Sequence, residues 1–261
     1  MKFFKEHINV VIIAGASGIG REIARAFVKE NANVFVCDIS SKLIEEFKSE
    51  LPTVFIEKAD VSKYEQVNAF FKKVSKRINK LDVLINGAGI AGPTALLDNI
   101  KPKEWAHTID VNINGMFYCC KEAIPLLRKS KSGSIINLAS NAAFFGFPYR
   151  SAYTTAKWAT IGMTKTLAME LGKDKIRVNA ICPGSVKGDR IDRVIRADAD
   201  EQKKTIEEIK ESYVRQVSLK TFVGADDIAN MCLYLSSDMG RYISGQALGL
   251  DGHTEGLSTE I

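Results

Sequence analysis

The sequence predicts an α/β chain with a doubly wound, seven-stranded parallel sheet and helices on both faces, and three observations predict it. Short β-branched runs alternate with helical patterns from one end of the chain to the other, the rhythm of repeated strand-to-strand crossovers. The strand candidates are nearly continuous in apolar residues, as strands covered on both faces must be. A glycine-rich turn follows the first of them and opens directly into a helical pattern, the arrangement that begins a Rossmann fold. The 261 residues suit one large α/β unit. No internal repeat or low-complexity linker divides them, so residues 1–261 are expected to form a single Rossmann-fold domain.

Strands are expected at 9–14, 33–38, 53–57, 81–86, 133–139, 176–182 and 246–250. Helices are expected at 18–30, 41–50, 63–78, 102–129, 151–171 and 225–236, several opened by Ser or Asp, or by a proline in the first turn. Right-handed crossovers then lead to the strand order 3-2-1-4-5-6-7. One stretch, 187–220, breaks the rhythm: it is long and highly charged and lies between the sixth and seventh strands. It is expected to project as a substrate lid beyond the carboxyl edge of the sheet, where such folds bind ligands.

Composition narrows the class. Hydrophobic residues at 46% and charged residues at 26% exclude disordered, collagen-like and disulfide-stapled chains. Lys and Arg number 36 against 31 acids, a net charge of +5 with no basic arm, so no nucleic-acid partner is expected. Cys37, Cys119, Cys120, Cys182 and Cys232 form an odd, widely spaced set without a C-x-x-C pair; they read as reduced packing residues and no metal site is expected. The amino end superficially resembles a signal peptide, with Ala14 and Ala16 at cleavage-like spacing. Its apolar run from Ile8 to Ala14 is short, carries Asn9 and leads straight into the glycine turn, which is how a first parallel strand behaves. No stretch approaches the roughly 20 apolar residues of a membrane span, and the expectation is a soluble cytoplasmic protein.

In the turn Ala14-Gly15-Ala16-Ser17-Gly18-Ile19-Gly20, backbone amides at the helix start can cradle a pyrophosphate while the glycines allow close approach. The second strand ends in Asp38, followed by Ile39. A carboxylate there accepts hydrogen bonds from both adenosine ribose hydroxyls and repels a 2′-phosphate, which favours NAD over NADP. The plainer reading makes Asp38 a helix N-cap in the turn before Ser41. Further on, Tyr153 and Lys157 stand four residues apart in a helical pattern, so both side chains emerge on one face about a turn apart.

Taken in order along essentially the whole chain, these features resemble the short-chain dehydrogenase/reductase family. The family's T-G-x-x-x-G-x-G pattern matches without a gap at Gly18 and Gly20 but puts Ala14 on its first glycine. Either Ala14 replaces that glycine, at about 1 kcal/mol for a positive φ, or the loop is one residue shorter with Gly15 in its place. The resemblance implies that Asp60-Val61 holds the adenine ring. It implies that Asn86-Gly87-Ala88-Gly89 is the N-N-A-G element, with Gly87 replacing an asparagine. It also implies that Pro183-Gly184 and the backbone near Val186 hold the nicotinamide carboxamide, Gly188 standing where many members have threonine. It makes Tyr153 and Lys157 the Y-x-x-x-K pair, and Ser140 and Asn112 the remaining catalytic residues.

A phenol is a base near neutral pH only where its anion is stabilised; Lys157 and an oxidised nicotinamide would do so. Lys157 would also fix the nicotinamide ribose, Ser140 the substrate oxygen, and Asn112 a relay water. Each residue also has a plain alternative: Ser140 a strand-end cap, Asn112 a helix hydrogen bond, Tyr153 an interface aromatic, Lys157 a solvated side chain.

The substrate candidates are Ser140, Asn141, Arg150, Tyr153, Arg190 and Arg193. Arg190, Arg193 and Arg196 recur every three residues and can share one side of a lid helix, to bind a carboxylate, phosphate or sulfonate. The plainer reading pairs them with Asp189, Asp192, Asp198 and Asp200 on a solvated helix. Phe144, Phe145, Phe147 and Tyr149 could form an aromatic wall. The implied function is NAD-dependent oxidation of a small polar secondary alcohol to the ketone, the alcohol being a sugar derivative, a polyol or a hydroxy acid, anionic or neutral. The alternatives are a 3-oxoacyl thioester reductase using NADPH and, in a different class, a non-catalytic dinucleotide-sensing protein. A homotetramer is implied as well, with the carboxyl-terminal strand and the helix carrying Met116, Phe117, Cys119 and Cys120 as candidate interfaces.

Overall fold

A computed structural model describes residues 3–256. Its strands are β1 (Asn9–Ile13), β2 (Asn33–Asp38), β3 (Phe55–Lys58), β4 (Val83–Asn86), β5 (Ser134–Leu138), β6 (Arg177–Pro183) and β7 (Ala247–Leu250). They form one sheet in the order β3-β2-β1-β4-β5-β6-β7, all parallel, with Val11 registered between Phe35 and Leu84. Both the strand count and the order agree with the sequence expectation.

The period of two along β1 divides the core into two layers. Val10 and Ile12 pack with Phe27 of α1 (Gly18–Lys29), Phe47 of α2 (Ser41–Glu50) and Cys232 of α9 (Ala225–Ser236). Val11 and Ile13 face the other way, onto Phe70 and Phe71 of α3 (Tyr64–Ser75), Cys119 and Cys120 of α5 (Gly115–Leu127), and Leu171 at the end of α6 (Ser151–Leu171). The five cysteines are buried and unpaired. Among the described residues no helix is long and apolar enough to cross a membrane.

Two segments depart from the expected pattern. The single helix expected over 102–129 is α4 (Pro102–Ile109), a π-turn (Asp110–Asn114) and then α5. The Asn112 side chain donates to Thr108 O at 2.8 Å and Ile90 O at 3.1 Å. Gly115 lets the next turn close on Val61, whose Cβ would lie 2.9 Å from an added methyl. Apolar spacing does not register one extra residue per turn, which is why the break escaped it. The segment 187–220 is largely helical, as α7 (Asp189–Gln202) and α8 (Ile206–Arg215). A capping box opens α8: Glu208 N donates to Thr205 Oγ1 at 3.2 Å and Thr205 N to Glu208 Oε2 at 2.8 Å. Ile195, Ala199 and Ile209 bind the two helices together.

Candidate active site

At the switch point between β1 and β4, a groove of about 770 Å³ runs along the carboxyl edge of the sheet. The glycine turn forms one end. Ala14 takes the first glycine's place at φ +60° and Gly18 follows at +49°, so the loop keeps its full length and Ala14 carries the strain, about 1 kcal/mol. A methyl on Gly20 would sit 2.2 Å from Ala14 O, so the turn closes only on glycine. The Ser17 side chain makes no capping hydrogen bond and α1 has no acid in its first turn. Its leading amides are therefore suited to an outside anion such as a pyrophosphate.

Asp38 ends β2 and is buried. Its carboxylate accepts from Ala16 N and Ser40 N, both at 3.1 Å, which ties the glycine turn to β2. The N-cap of α2 is Ser40, which accepts from Leu43 N at 3.3 Å, so Asp38 is not that helix's cap. Ile39 is exposed beside it. Asp60 accepts from Ser62 N at 2.9 Å and from its hydroxyl at 2.7 Å, while Val61 is buried under Gly115.

The four catalytic candidates converge from separate elements. Lys157 is buried and its Nζ donates to Leu138 O at 2.8 Å. It lies 5.6 Å from the ring centre of Tyr153, one helical turn earlier. Burial would raise the Tyr153 phenol, but Lys157, Arg190, a hydrogen bond with Ser140 and Arg150 outweigh it and hold the phenol below its ordinary value. Burial lowers the Lys157 ammonium, against the pull of Tyr153 and with the push of Arg190. Ser140 also accepts from Ala142 N at 3.2 Å, so it caps the strand end as well as facing Tyr153. Asn112 Oδ1 is buried without a partner. A methyl on Gly89 would lie 2.6 Å from that oxygen and 3.4 Å from Lys157 Nζ, so both heads crowd over Gly89. Asn86 Nδ2 donates to Asn137 Oδ1 at 2.8 Å. Asn86, Ala88 and Asn112 line a chamber of about 10 Å³ beside the groove, close to the least that one water needs.

Ser17, Gly18, Ile19, Gly20, Gly89, Pro183, Gly184 and Val186 line the groove, as do Ser140, Asn141, Arg150, Tyr153, Lys157, Arg190 and Arg193. Gly15, Asp38, Ile39, Asp60, Val61, Asn86, Ala88 and Asn112 lie outside that lining. Gly15 instead packs against Val36, 2.8 Å from where its methyl would be. Of the expected aromatic wall only Phe145 and Phe147 reach the groove.

The arginines of α7 do not pair with the acids interleaved among them. Among the described residues no ion pair joins Arg190, Arg193 or Arg196 to a carboxylate. The acid of that set in an ion pair, Asp198, meets Arg150 of the preceding loop, Nη1 to Oδ1 at 3.7 Å. The other Asp198 oxygen accepts the Tyr213 hydroxyl. Burial raises the Asp198 carboxyl, while Tyr213 and Arg150 draw it down. Tyr213, Gln216 and Val217 also line the groove; sequence reasoning missed them, although Ile209 and Tyr213 stand at helical spacing inside the segment 187–220.

Comparison with known proteins gives a consistent set. Residues 13–254 match a family model described as enoyl-(acyl carrier protein) reductase. The chain is 36% identical over 247 residues to the 3-oxoacyl-[acyl-carrier-protein] reductase FabG of Staphylococcus aureus, covering 92% of this chain and 96% of that one. It is 35% identical over 244 residues to the dehydrogenase/reductase SDR family member 6 of Aquarana catesbeiana, covering 93% and 95%. Among solved structures, levodione reductase superposes with a TM-score of 0.88 at 28% identity, covering 94% of this chain and 96% of that chain. An actinorhodin polyketide ketoreductase with NADPH gives 0.89 at 27%, also over 94% and 96%.

Gly20→Ala is expected to lower the unfolding free energy by about 1–3 kcal/mol in a urea titration, because Ala14 O must move to admit the methyl. An unchanged midpoint would show that the turn yields freely.

Proposed function

The chain belongs to the short-chain dehydrogenase/reductase family, and from that membership we propose that it is an NAD-linked oxidoreductase that interconverts a small polar secondary alcohol and its ketone. The observation that carries the reading is the convergence of Lys157, Ser140 and Tyr153 at one end of a dinucleotide-sized groove. Tyr153 Oη takes the alcohol proton as the ketone forms, and returns it in the reverse direction. Ser140 Oγ holds the substrate oxygen while charge develops on it. Lys157, anchored on Leu138 O, keeps the phenol acidic enough to serve. Asn112 Oδ1, a buried acceptor beside Lys157, suits a water that carries the proton onward. A nicotinamide dinucleotide, when bound, supplies the hydride acceptor. The free amides of α1 and the glycine turn fit its pyrophosphate, and Gly89, Pro183, Gly184 and Val186 its nicotinamide half. Asp60 and Val61 fit the adenine end.

Asp38 supports NAD over NADP. A 2′-phosphate would meet that carboxylate, whereas the cations lining the groove, Lys157, Lys187, Arg150, Arg190 and Arg193, come from α6, the loop before it and the segment after β6. A second reading, a 3-oxoacyl thioester reductase using NADPH, draws on the 36% identity with FabG. The helices α7 and α8 act as the lid. The exposed Phe117 on α5, with Trp158 and Met169 on α6, supports a homotetramer, and the unpaired cysteines suit a reducing cytoplasm.

Tyr153→Phe is expected to abolish NAD reduction while NADH affinity, read by fluorescence titration, stays within a few-fold. Retained turnover would remove Tyr153 as the base. Asp38→Ala should narrow the NAD over NADP preference in kcat/KM by at least about tenfold; an unchanged ratio would confine Asp38 to tying the turn to β2. Alcohol oxidation should rise with pH through a midpoint below the ordinary tyrosine value, because the site favours the phenolate. Arg190→Gln should move that midpoint upward, since the guanidinium helps hold the phenol down; a fixed midpoint would contradict the assignment.

A further inference from the structure

We propose that the lid end of the groove is an anion subsite in which Arg150 and Arg190 hold the carboxylate of a short hydroxy acid while Tyr153 and Ser140 hold its hydroxyl. This rests on the dehydrogenase reading and narrows its substrate class.

Arg150 is only 3% exposed. Of its five N–H groups the structure gives an acceptor to Nη2 alone, Ala91 O at 3.3 Å; Nε and Nη1 are buried without a hydrogen-bond partner. Asp198 lies at ion-pair distance, 3.7 Å, too far for a hydrogen bond, and spends its other oxygen on Tyr213. A buried guanidinium left this far short of acceptors is costly unless a further oxygen arrives.

Its position says whose oxygen that is. Arg150 lines the groove, and its guanidinium carbon stands 5.3 Å from the Tyr153 ring centre and 5.8 Å from that of Phe147. A group bound there is within a few carbons of an alcohol on the Tyr153 hydroxyl. Arg190 reaches over from α7, donating to Gly89 O at 2.9 Å, and lines the groove as well. Asp189 stands in the groove lining against Lys157, Lys187, Arg150, Arg190 and Arg193, and Asp198 adjoins Arg150 from outside it, so the field on a substrate is positive. The groove of about 770 Å³ must hold dinucleotide and substrate together, which keeps the substrate short. A carboxylate, planar and singly charged, matches guanidinium donors in a site where Asp198 already offsets part of the charge.

The test titrates 2- and 3-hydroxybutyrate and their primary amides into the NADH-loaded enzyme, where no turnover occurs, and reads nicotinamide fluorescence. At least one acid is expected to bind ten times or more tighter than its amide. Arg150→Lys and Arg190→Gln should each weaken the acid more than fivefold and leave the amide within twofold. The pair Arg150→Gln with Asp198→Asn, which leaves no buried carboxylate unpaired, should do the same at an unchanged melting temperature. Arg196→Ala, exposed and off the groove, should change nothing. Equal affinities for acid and amide, no binding of either, or equal losses for both in the Arg150 variants would overturn the subsite. Turnover with NAD is scored separately. Acids that bind with the expected discrimination but are not oxidised support the subsite and sink the dehydrogenase reading; amides oxidised as fast as acids do the reverse.

Discussion

A buried ammonium organises the site. An ion at the Lys157 position survives burial only if its surroundings return what water gave it, and that requirement reaches into four elements. The last carbonyl of β5 must point at Nζ, and Leu138 O does, at 2.8 Å. The loop after β4 must bring glycine underneath, because a side chain on Gly89 would strike Asn112 and press on Lys157. The helix that crosses behind must present an amide oxygen, and α6 must set Tyr153 one turn before the lysine. The relation between Lys157 and Tyr153 is then mutual: the cation makes the phenolate accessible and the phenolate helps keep the cation charged.

Much of this was legible in the sequence because it is local. The glycine turn, the strand-end Asp38 and the Tyr153–Lys157 spacing are each written within a few residues, and buried parallel strands announce themselves as unbroken apolar runs. What escaped is what distance in sequence hides. Arg150 and Asp198 meet across the space between the α6 amino end and α7, and no periodicity couples them. The arginine repeat at 190, 193 and 196 suggested ion pairs along one helix; the fold turns those arginines toward the groove or solvent and gives Asp198 to a different partner. Ala14 was ambiguous for another reason, since an alanine or a shortened loop satisfies the same letters and only the backbone angle decides.

Likeness to relatives and likeness in chemistry separate here. The family match and the shared sheet order account for the groove at the sheet edge and for the Tyr153–Lys157 pair beside it, an arrangement that fold alone does not tie to one substrate. At the other side of the groove the lining comes from α7, α8 and the loop before α6, with Arg150, Arg190 and Tyr213 among it. Substrate choice in such folds rests on loops and added segments rather than on the shared core motifs.

The π-turn at Asp110–Asn114 lets one length of helix serve two masters. Each extra residue in a helical turn slips the phase of everything beyond it by about 100°, so α4 and α5 are rotated independently: α5 aims its small and sulfur-bearing side chains into the sheet, while the stretch before it sets Asn112 beside Lys157. Removing a single residue from that stretch would rotate Asn112 away from Lys157 and pull Val111 and Ile113 off the core they pack against, so the wide turn is a phase adjuster that chain length keeps in tune.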